Sequence, residues 1–425
     1  MQRLTASFQV TDKKVFKQQM LRWANQFNIC CFLDNNEYSS NHHSYEWLLA
    51  AGSVKIFSPS ENKLQALKEF CADNKDWLFG HLGYDLKNEI ENLNSFHQDF
   101  IGFPDIFLFQ PEIVIYLNTG SVSISCITQE PENIFTSIKN IALHQGHRFQ
   151  KPDIQLRTSK WQYVDTIEKL RKHILRGDCY EINYCIEFFA EETSIDPLTV
   201  YEKLINISPN PFASFYKLHD KYLMCASPER YLKKTGKEII SQPIKGTIKR
   251  NIDITKDQIN KQQLYQSTKN RSENVMVVDL VRNDLSKICK DGSVDVEELF
   301  GIYTFPQLHQ MISTVKGELK DKVDFADIVK ATFPMASMTG APKRSVMQLI
   351  EKYEQTKRGI FSGAVGYIDP QGDFDFNVVI RSIMYNATFE HLSYQVGSGI
   401  TFYSNAEEEF EECMLKAKAI EKVLG

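Results

Sequence analysis

Residues 363–425 read GAVGYIDPQGDFDFNVVIRSIMYNATFEHLSYQVGSGITFYSNAEEEFEECMLKAKAIEKVLG. The pattern predicts three strands and a helix. Gly363 to Tyr367 and Phe374 to Tyr385 are β-type runs joined by the polar turn Asp369-Pro370-Gln371-Gly372. Ser393 to Gln395 is a third run, leading into Gly397 and Gly399. A helix then extends from Ala406 to Leu424. Strands interspersed with helices, without regular βαβ repetition, predict antiparallel sheets with helices packed on them.

The same texture continues upstream. Thr339-Gly340-Ala341-Pro342-Lys343 is a turn feeding a helix that ends near Tyr353, and Asp324 to Ala331 is another helix. Gln262 to Cys289 reads as one long helix. Its apolar stripe is Val278, Val281, Leu285 and Ile288, and Asp279, Arg282 and Asn283 lie beside it as a capping or ion-pair group. CYEINYCIEFFA, residues 179–190, is dense in β-branched and aromatic residues and predicts a strand. Before it, Ser159 to Arg176 carries Tyr163, Ile167, Leu170 and Ile174 at helical spacing and ends at Gly177-Asp178. The polar stretch Phe149 to Thr158 marks a boundary, dividing the chain into residues 1–150 and 151–425. The first part is strand-rich, with runs at Cys30 to Leu33 and Ile113 to Leu117. A helix candidate spans Glu61 to Cys71, and WLFGHLGYDL, residues 77–86, predicts close backbone packing near Gly80 and Gly83.

Composition narrows the function. The chain has 425 residues, enough for two or three domains or one large composite body. Its 49 basic and 54 acidic residues leave a net charge of −5, with no basic stripe, which argues against nucleic acid as a partner. Nine cysteines without a CxxC pair read as buried thiols in a reducing compartment, not as a zinc site. The N-terminus shows no apolar signal region, and no run of 18 apolar residues occurs, so a cytoplasmic protein without membrane contact is expected.

Several residues are placed for chemistry, each with a bland alternative. Glu409, Glu412 and Lys416 share one helix face. The acids either cap the helix start or, with a third acid, hold Mg²⁺. Gly397-Ser398-Gly399 is a tight turn or an anion cradle. Thr339 and Gly340, just before Pro342 and a helix, form an anion-friendly N-terminus. Arg381 follows the run Val378-Val379-Ile380 and is suited to grip a carboxylate. Lys245, between Pro243 and Gly246, predicts a tight non-helical turn; it is either a surface lysine or a desolvated nucleophile.

The segments PIKGT (243–247), SENVMVVDLVRNDL (272–285), ASMTGAPK (336–343), FSGAVGYID (361–369), VGSGI (396–400) and FEECMLKAKAIEKVL (410–424) occur in this order. This series resembles the chorismate-utilising enzymes, strongly over about residues 155–425. The N-terminal part is similar only through CFLDNN (31–36) and FGHLGYDLKNEIENL (79–93). The resemblance implies an α+β fold: a two-lobed core of orthogonal antiparallel sheets forming a sandwich, with peripheral helices. Residues 1–150 would be the N-terminal lobe and 151–425 the chorismate-binding catalytic region. PIKGT resembles the aminodeoxychorismate synthase branch, whereas anthranilate synthases resemble PIAGT. The branch implies that Lys245 attacks C2 of chorismate as the C4 hydroxyl leaves, and that ammonia then enters at C4 and expels the lysine. The lysine that activates water in isochorismate and salicylate synthases is replaced here by Glu181. A non-catalytic chorismate- or tryptophan-binding regulatory subunit is the rival from another class, and a full set of carboxylates together with Lys245 argues against it.

Further roles follow from the resemblance. Glu229 would protonate the departing hydroxyl and needs a pKa raised towards neutral. Glu273 and Glu412 would bind Mg²⁺, with Glu409 outside them. Arg381, Lys416 and the backbone at Gly397 and Gly399 would hold the enolpyruvyl carboxylate, and Thr339 and Gly340 would wall the ring. Five positions depart from the branch pattern: Glu181 for Gln, Gln242 for Arg, Asn270 for an acid, Gln310 for His, and Phe361 for Tyr. His309, one residue from the family histidine, would face the other way along a strand. No GxCxG element of a glutaminase occurs, so a separate glutamine amidotransferase is expected to supply ammonia, and a second enzyme to eliminate pyruvate.

Overall fold

The computed structural model describes residues 3–38, 42–118, 120–143 and 150–425. Every paired strand is antiparallel, in two large sheets. The twelve-stranded sheet runs from Leu4–Phe8 through Ile29–Asp34, Phe212–Leu218, Lys221–Ser227, Ser382–Asn386 and His391–Ile400 to Glu181–Ala190 and Gly340–Ala341. The ten-stranded sheet runs from Ile244–Lys249 through Leu308–Glu318, Glu238–Gln242, Arg230–Thr235, Phe374–Asn377 and Ala364–Ile368 to Leu78–Leu82, Ile106–Gln110 and Lys55–Phe57. Both sheets join strands from either side of residue 150. Ile29–Asp34 pairs with Phe212–Leu218, and Leu78–Leu82 with Ala364–Ile368. Phe149 itself lies outside the described residues.

Strand alternation explains the two cores. Cys30 and Phe32 face a cluster shared with the helices Lys13–Ala24, Pro197–Ile207 and Ala406–Leu424, while Ile29 and Cys31 face the other sheet's Leu78, Phe107 and Phe109. Successive side chains leave a strand on opposite faces, so a run buried at both faces is apolar throughout. Adjacent thiols therefore enter different cores. All nine cysteines are free and eight are buried, as small apolar residues would be.

Most helices fall where the periodicity places them. Lys160–Leu175 starts on a capping box between Ser159 and Gln162, and Ala406–Leu424 starts on Asn405. Three expectations need correction. Gln262 to Cys289 is two helices, Ile254–Gln266 and Thr268–Ser286. Ser267 leaves the helical conformation between them, and its side chain caps the second. Phe374 to Tyr385 is two strands in different sheets, broken where Arg381 adopts a φ of 50°. Ser393 to Gln395 is the middle of the longer strand His391–Ile400, which contains both Gly397 and Gly399. The Arg282–Asp279 pair at 3.0 Å is an exposed ion pair, in keeping with the structural reading of that group.

Candidate active site

Lys245 lies on the strand Ile244–Lys249, not in a turn. Pairing with Leu308–Glu318 slips between Ile244 and Thr247, with Gly246 at φ 93°, so Lys245 sits in an irregularity at the sheet edge. Its Nζ donates to Oε1 of Glu181, the first residue of Glu181–Ala190 near the edge of the other sheet. The contact thus joins the two sheets. Burial pulls the lysine's pKa down, but Glu181, Glu273 and Glu229 outweigh it and hold the ammonium form above its usual range.

Two chain crossovers between the sheets supply the next pair. Glu229 sits between Lys221–Ser227 and Arg230–Thr235, and Arg381 between Phe374–Asn377 and Ser382–Asn386. The crossovers are laced together: Val378 N–H donates to the Glu229 carbonyl at 3.0 Å, and Ala226 N–H to that of Arg381 at 3.1 Å. Burial pushes Glu229 up to about 7, against the lowering influence of Ser337, Lys245 and Arg381. It brings Arg381 down to about 10. The Arg381 guanidinium makes no hydrogen bond or ion pair among the described residues, so its donors are free for an anion.

Two helices bring further carboxylates. Glu273, on Thr268–Ser286, is raised by burial and by Glu181 and Glu409, and its Oε1 is buried without a partner. On Ala406–Leu424, Glu409 accepts from Ser398 Oγ and lies 3.7 Å from Lys269, while half-exposed Glu412 pairs with Lys416 at 2.7 Å. Lys416 also donates to the Gly397 carbonyl at 2.8 Å. No group of three or more metal-type side chains closes into a cage among the described residues. The orphaned Glu273 oxygen and the hard donors nearby fit Mg²⁺ held by one or two carboxylates, with water and a bound anion completing its shell.

The glycines matter because they admit the neighbouring strand. A methyl at Gly399 would lie 2.9 Å from Lys245 Nζ, and one at Gly397 2.5 Å from Cys185 Sγ. Gly340 has φ +144°, and a methyl there would meet the Glu181 carbonyl at 2.0 Å. Thr339 is fully buried, and its hydroxyl donates to the Met335 carbonyl at 3.1 Å. Its hydroxyl is satisfied within its own turn.

The departures take varied places. Gln242 accepts from Arg230, whose guanidinium also binds Asp375 at 2.9 and 3.0 Å. Asn270 packs on Gly246, where a methyl would approach its Cβ at 3.0 Å. Gln310 is buried with an unpartnered Oε1, and Phe361 is in the core between the sheets. His309 bonds Asp257 at 3.1 Å and Thr304 at 3.0 Å, on the other face from Gln310, as strand alternation requires. Sequence reading missed the buried brace Arg358. It pairs with Glu354 at 2.6 Å and donates to the carbonyls of Met338, at 2.6 Å, and Asn183, at 2.8 Å. This fixes the segment before Thr339 against the Glu181 strand. The i,i+4 acid–base spacing was the only sequence signal, and that spacing is common on exposed helices.

Residues 29–422 match the family described as chorismate binding enzyme, and the chain belongs to that family. It is an enzyme acting on chorismate. Among its relatives is the aminodeoxychorismate synthase component 1 of Bacillus subtilis, 32% identical over 81% of this chain and 76% of the relative. That of Escherichia coli is 30% identical over 88% and 84%. An anthranilate synthase component I-like protein of Synechocystis is 33% identical over 84% and 74%. Among solved structures, anthranilate synthase component I of Streptococcus pneumoniae aligns at TM-score 0.78 and 24% identity, over 90% of this chain and 93% of that one. The menaquinone-specific isochorismate synthase of Escherichia coli aligns at 0.81 and 17%, over 100% and 94%. These two establish a shared fold. No helix among the described residues is long and apolar enough to cross a membrane.

Proposed function

We propose that the chain converts chorismate and ammonia into 4-amino-4-deoxychorismate, acting as component I beside a separate glutamine amidotransferase that releases the ammonia. The observation that carries this reading is Lys245, an amine only 13% exposed among the carboxylates of Glu181, Glu273 and Glu229. A lysine so enclosed is positioned for chemistry, because burying it without a task would cost free energy. The relatives from Bacillus subtilis and Escherichia coli support the same reading.

In this mechanism Arg381 receives a substrate carboxylate on its free guanidinium, and Lys416 adds positive charge at the pocket mouth. Neutral Lys245 forms a C–N bond at C2. The two conjugated ring double bonds shift together and the C4–O bond breaks, with Glu229 giving its proton to the leaving oxygen, which departs as water. Near pH 7 a carboxyl held at about 7 is protonated in a large fraction of molecules. Ammonia then forms a bond at C4, both double bonds return to their first positions, and Lys245 leaves as the amine. Glu273 and Glu412 would hold Mg²⁺, which when bound supplies positive charge for the substrate's ring carboxylate.

The Synechocystis relative supports a second reading, anthranilate synthesis. Lys245→Ala tests the choice. The first reading predicts a turnover loss of roughly 10²-fold or more with chorismate still bound. It also predicts a substrate-derived mass on the wild-type peptide carrying Lys245 after acid quench. Full activity in the variant would reduce Lys245 to an electrostatic residue.

A further inference from the structure

Resting on that reading, we propose that Glu181 is the proton acceptor that frees Lys245 for attack, with Glu229 kept for the opposite task. Lys245 has to lose a proton before it can form a bond, and its surroundings favour the charged form. The acceptor must therefore touch Nζ. Among the described residues only Glu181 makes an ion-pair contact with it. Glu229 and Glu273 act on it from farther away.

The position of Glu181 suits this task. Its side chain is only 3% exposed and that of Lys245 13%, so the carboxylate is the nearest acceptor and solvent reaches the pair only at the lysine. Its backbone is held by the short strand Gly340–Ala341, through the pairing Glu181–Ala341 and the close approach of Gly340. Gly399 stands behind both partners: a methyl there would lie 2.9 Å from Nζ and 3.0 Å from the Glu181 carboxylate. The second carboxylate oxygen, Oε2, is buried and accepts no hydrogen bond. The anion is stabilised almost entirely by the one lysine. In such a pocket the neutral acid–amine pair is reached by moving one proton along one hydrogen bond.

The proton balance closes. The resting pair is Lys245 ammonium and Glu181 carboxylate, with Glu229 protonated. Transfer gives neutral Lys245 and protonated Glu181. Attack at C2 places the positive charge on the lysine nitrogen, and Glu229 loses its proton to the leaving hydroxyl. Ammonia adds at C4 and becomes the charged amine of the product, while Lys245 leaves neutral. Glu181 returns its proton to Lys245, and the product ammonium reprotonates Glu229. The sum is chorismate plus ammonia giving the amine plus water. Two carboxylates near one lysine thus take opposite roles through their surroundings.

The test compares wild type, Glu181→Gln, Glu181→Asp and Lys245→Ala. Turnover of chorismate is measured with Mg²⁺ from pH 7 to 10, at a fixed concentration of un-ionised ammonia. The charged groups facing Lys245 are Glu181, Glu273, Glu229 and Glu412, with Lys269 and Arg381 behind them, and Glu181→Gln changes only one. Glu181→Gln installs the residue of the branch pattern and also removes the charge that most favours the ammonium, so its signature is the pH profile rather than abolished turnover: a loss of roughly tenfold at pH 7.5, chorismate affinity equal to or tighter than wild type, and recovery towards pH 10 as hydroxide takes the lysine proton. Wild type lacks that rising limb, and Glu181→Asp retains part of the activity without it. Glu181→Gln turning over within threefold of wild type with the same pH profile would overturn the proposal. So would a loss that is equal at every pH, which is the signature of positioning alone. If Lys245→Ala keeps full activity, the nucleophile reading fails instead, and the two failures are distinct.

Discussion

Gly399 stands against the reactive end of Lys245: a methyl on its Cα would come within 2.9 Å of Nζ. Glycine here is a matter of space, since no positive φ is required. Gly399→Ala is therefore expected to displace the lysine from Glu181 without harming the strand. Turnover should fall at least tenfold, with thermal stability changed by no more than about 1 kcal/mol, the ordinary scale of a single substitution. Assays with a melting curve decide this; full activity would show that the lysine has room to move.

Glu229 links catalysis to stability. Its pKa in the fold is about 7 against an ordinary 4.5, so the folded protein binds this proton more tightly than the unfolded chain does. The favourable contribution is complete below about 4.5 and is lost as pH rises through about 7. At about 1.4 kcal/mol per tenfold change in proton affinity, the ionised form costs the fold about 3 kcal/mol. Glu229→Gln should therefore exceed wild type in stability at pH 8, with the gap closing towards pH 5, while turnover drops by roughly 10²-fold. Urea melts at both values test the sign, and a gap independent of pH would refute it.

Arg381 is expected to contribute to binding more than to bond making. Loss of a charge-assisted pair to a carboxylate corresponds to about 1.5–3 kcal/mol, so Arg381→Gln should weaken chorismate roughly 10- to 100-fold. Titration of Lys245→Ala, which binds without turning over, with and without the second substitution isolates that effect. Unchanged affinity would assign the free guanidinium another partner.

Glu412 is half-exposed, so Glu412→Gln should fold normally while losing Mg²⁺-dependent turnover. Glu273→Gln should do the same through the orphaned oxygen. Activity that follows the same Mg²⁺ titration as wild type would remove each from the metal shell.

Much of this was legible in the chain itself. Helical spacing and caps placed Lys160–Leu175 and Ala406–Leu424 within a residue of their observed ends. The failures share a cause. Long apolar runs hide where a strand changes sheet, so the break at Arg381 and the crossover at Glu229 appear only once both sheets exist. Ser267 interrupts a helix whose polar flanks carry little periodicity. Lys245 looked like a turn residue because Pro243 and Gly246 flank it, whereas the glycine makes an irregular strand edge. Its partner Glu181 is 64 residues away, at the edge of another sheet, a distance no local pattern spans.

The central claim is the identity of the product. Purified chain, chorismate, an ammonium salt and Mg²⁺, followed by mass spectrometry and fluorescence, tests it most directly. The account predicts a non-fluorescent aminodeoxychorismate that yields 4-aminobenzoate only after a lyase is added. Fluorescent anthranilate formed without any second enzyme, or chorismate left unconsumed, would contradict it.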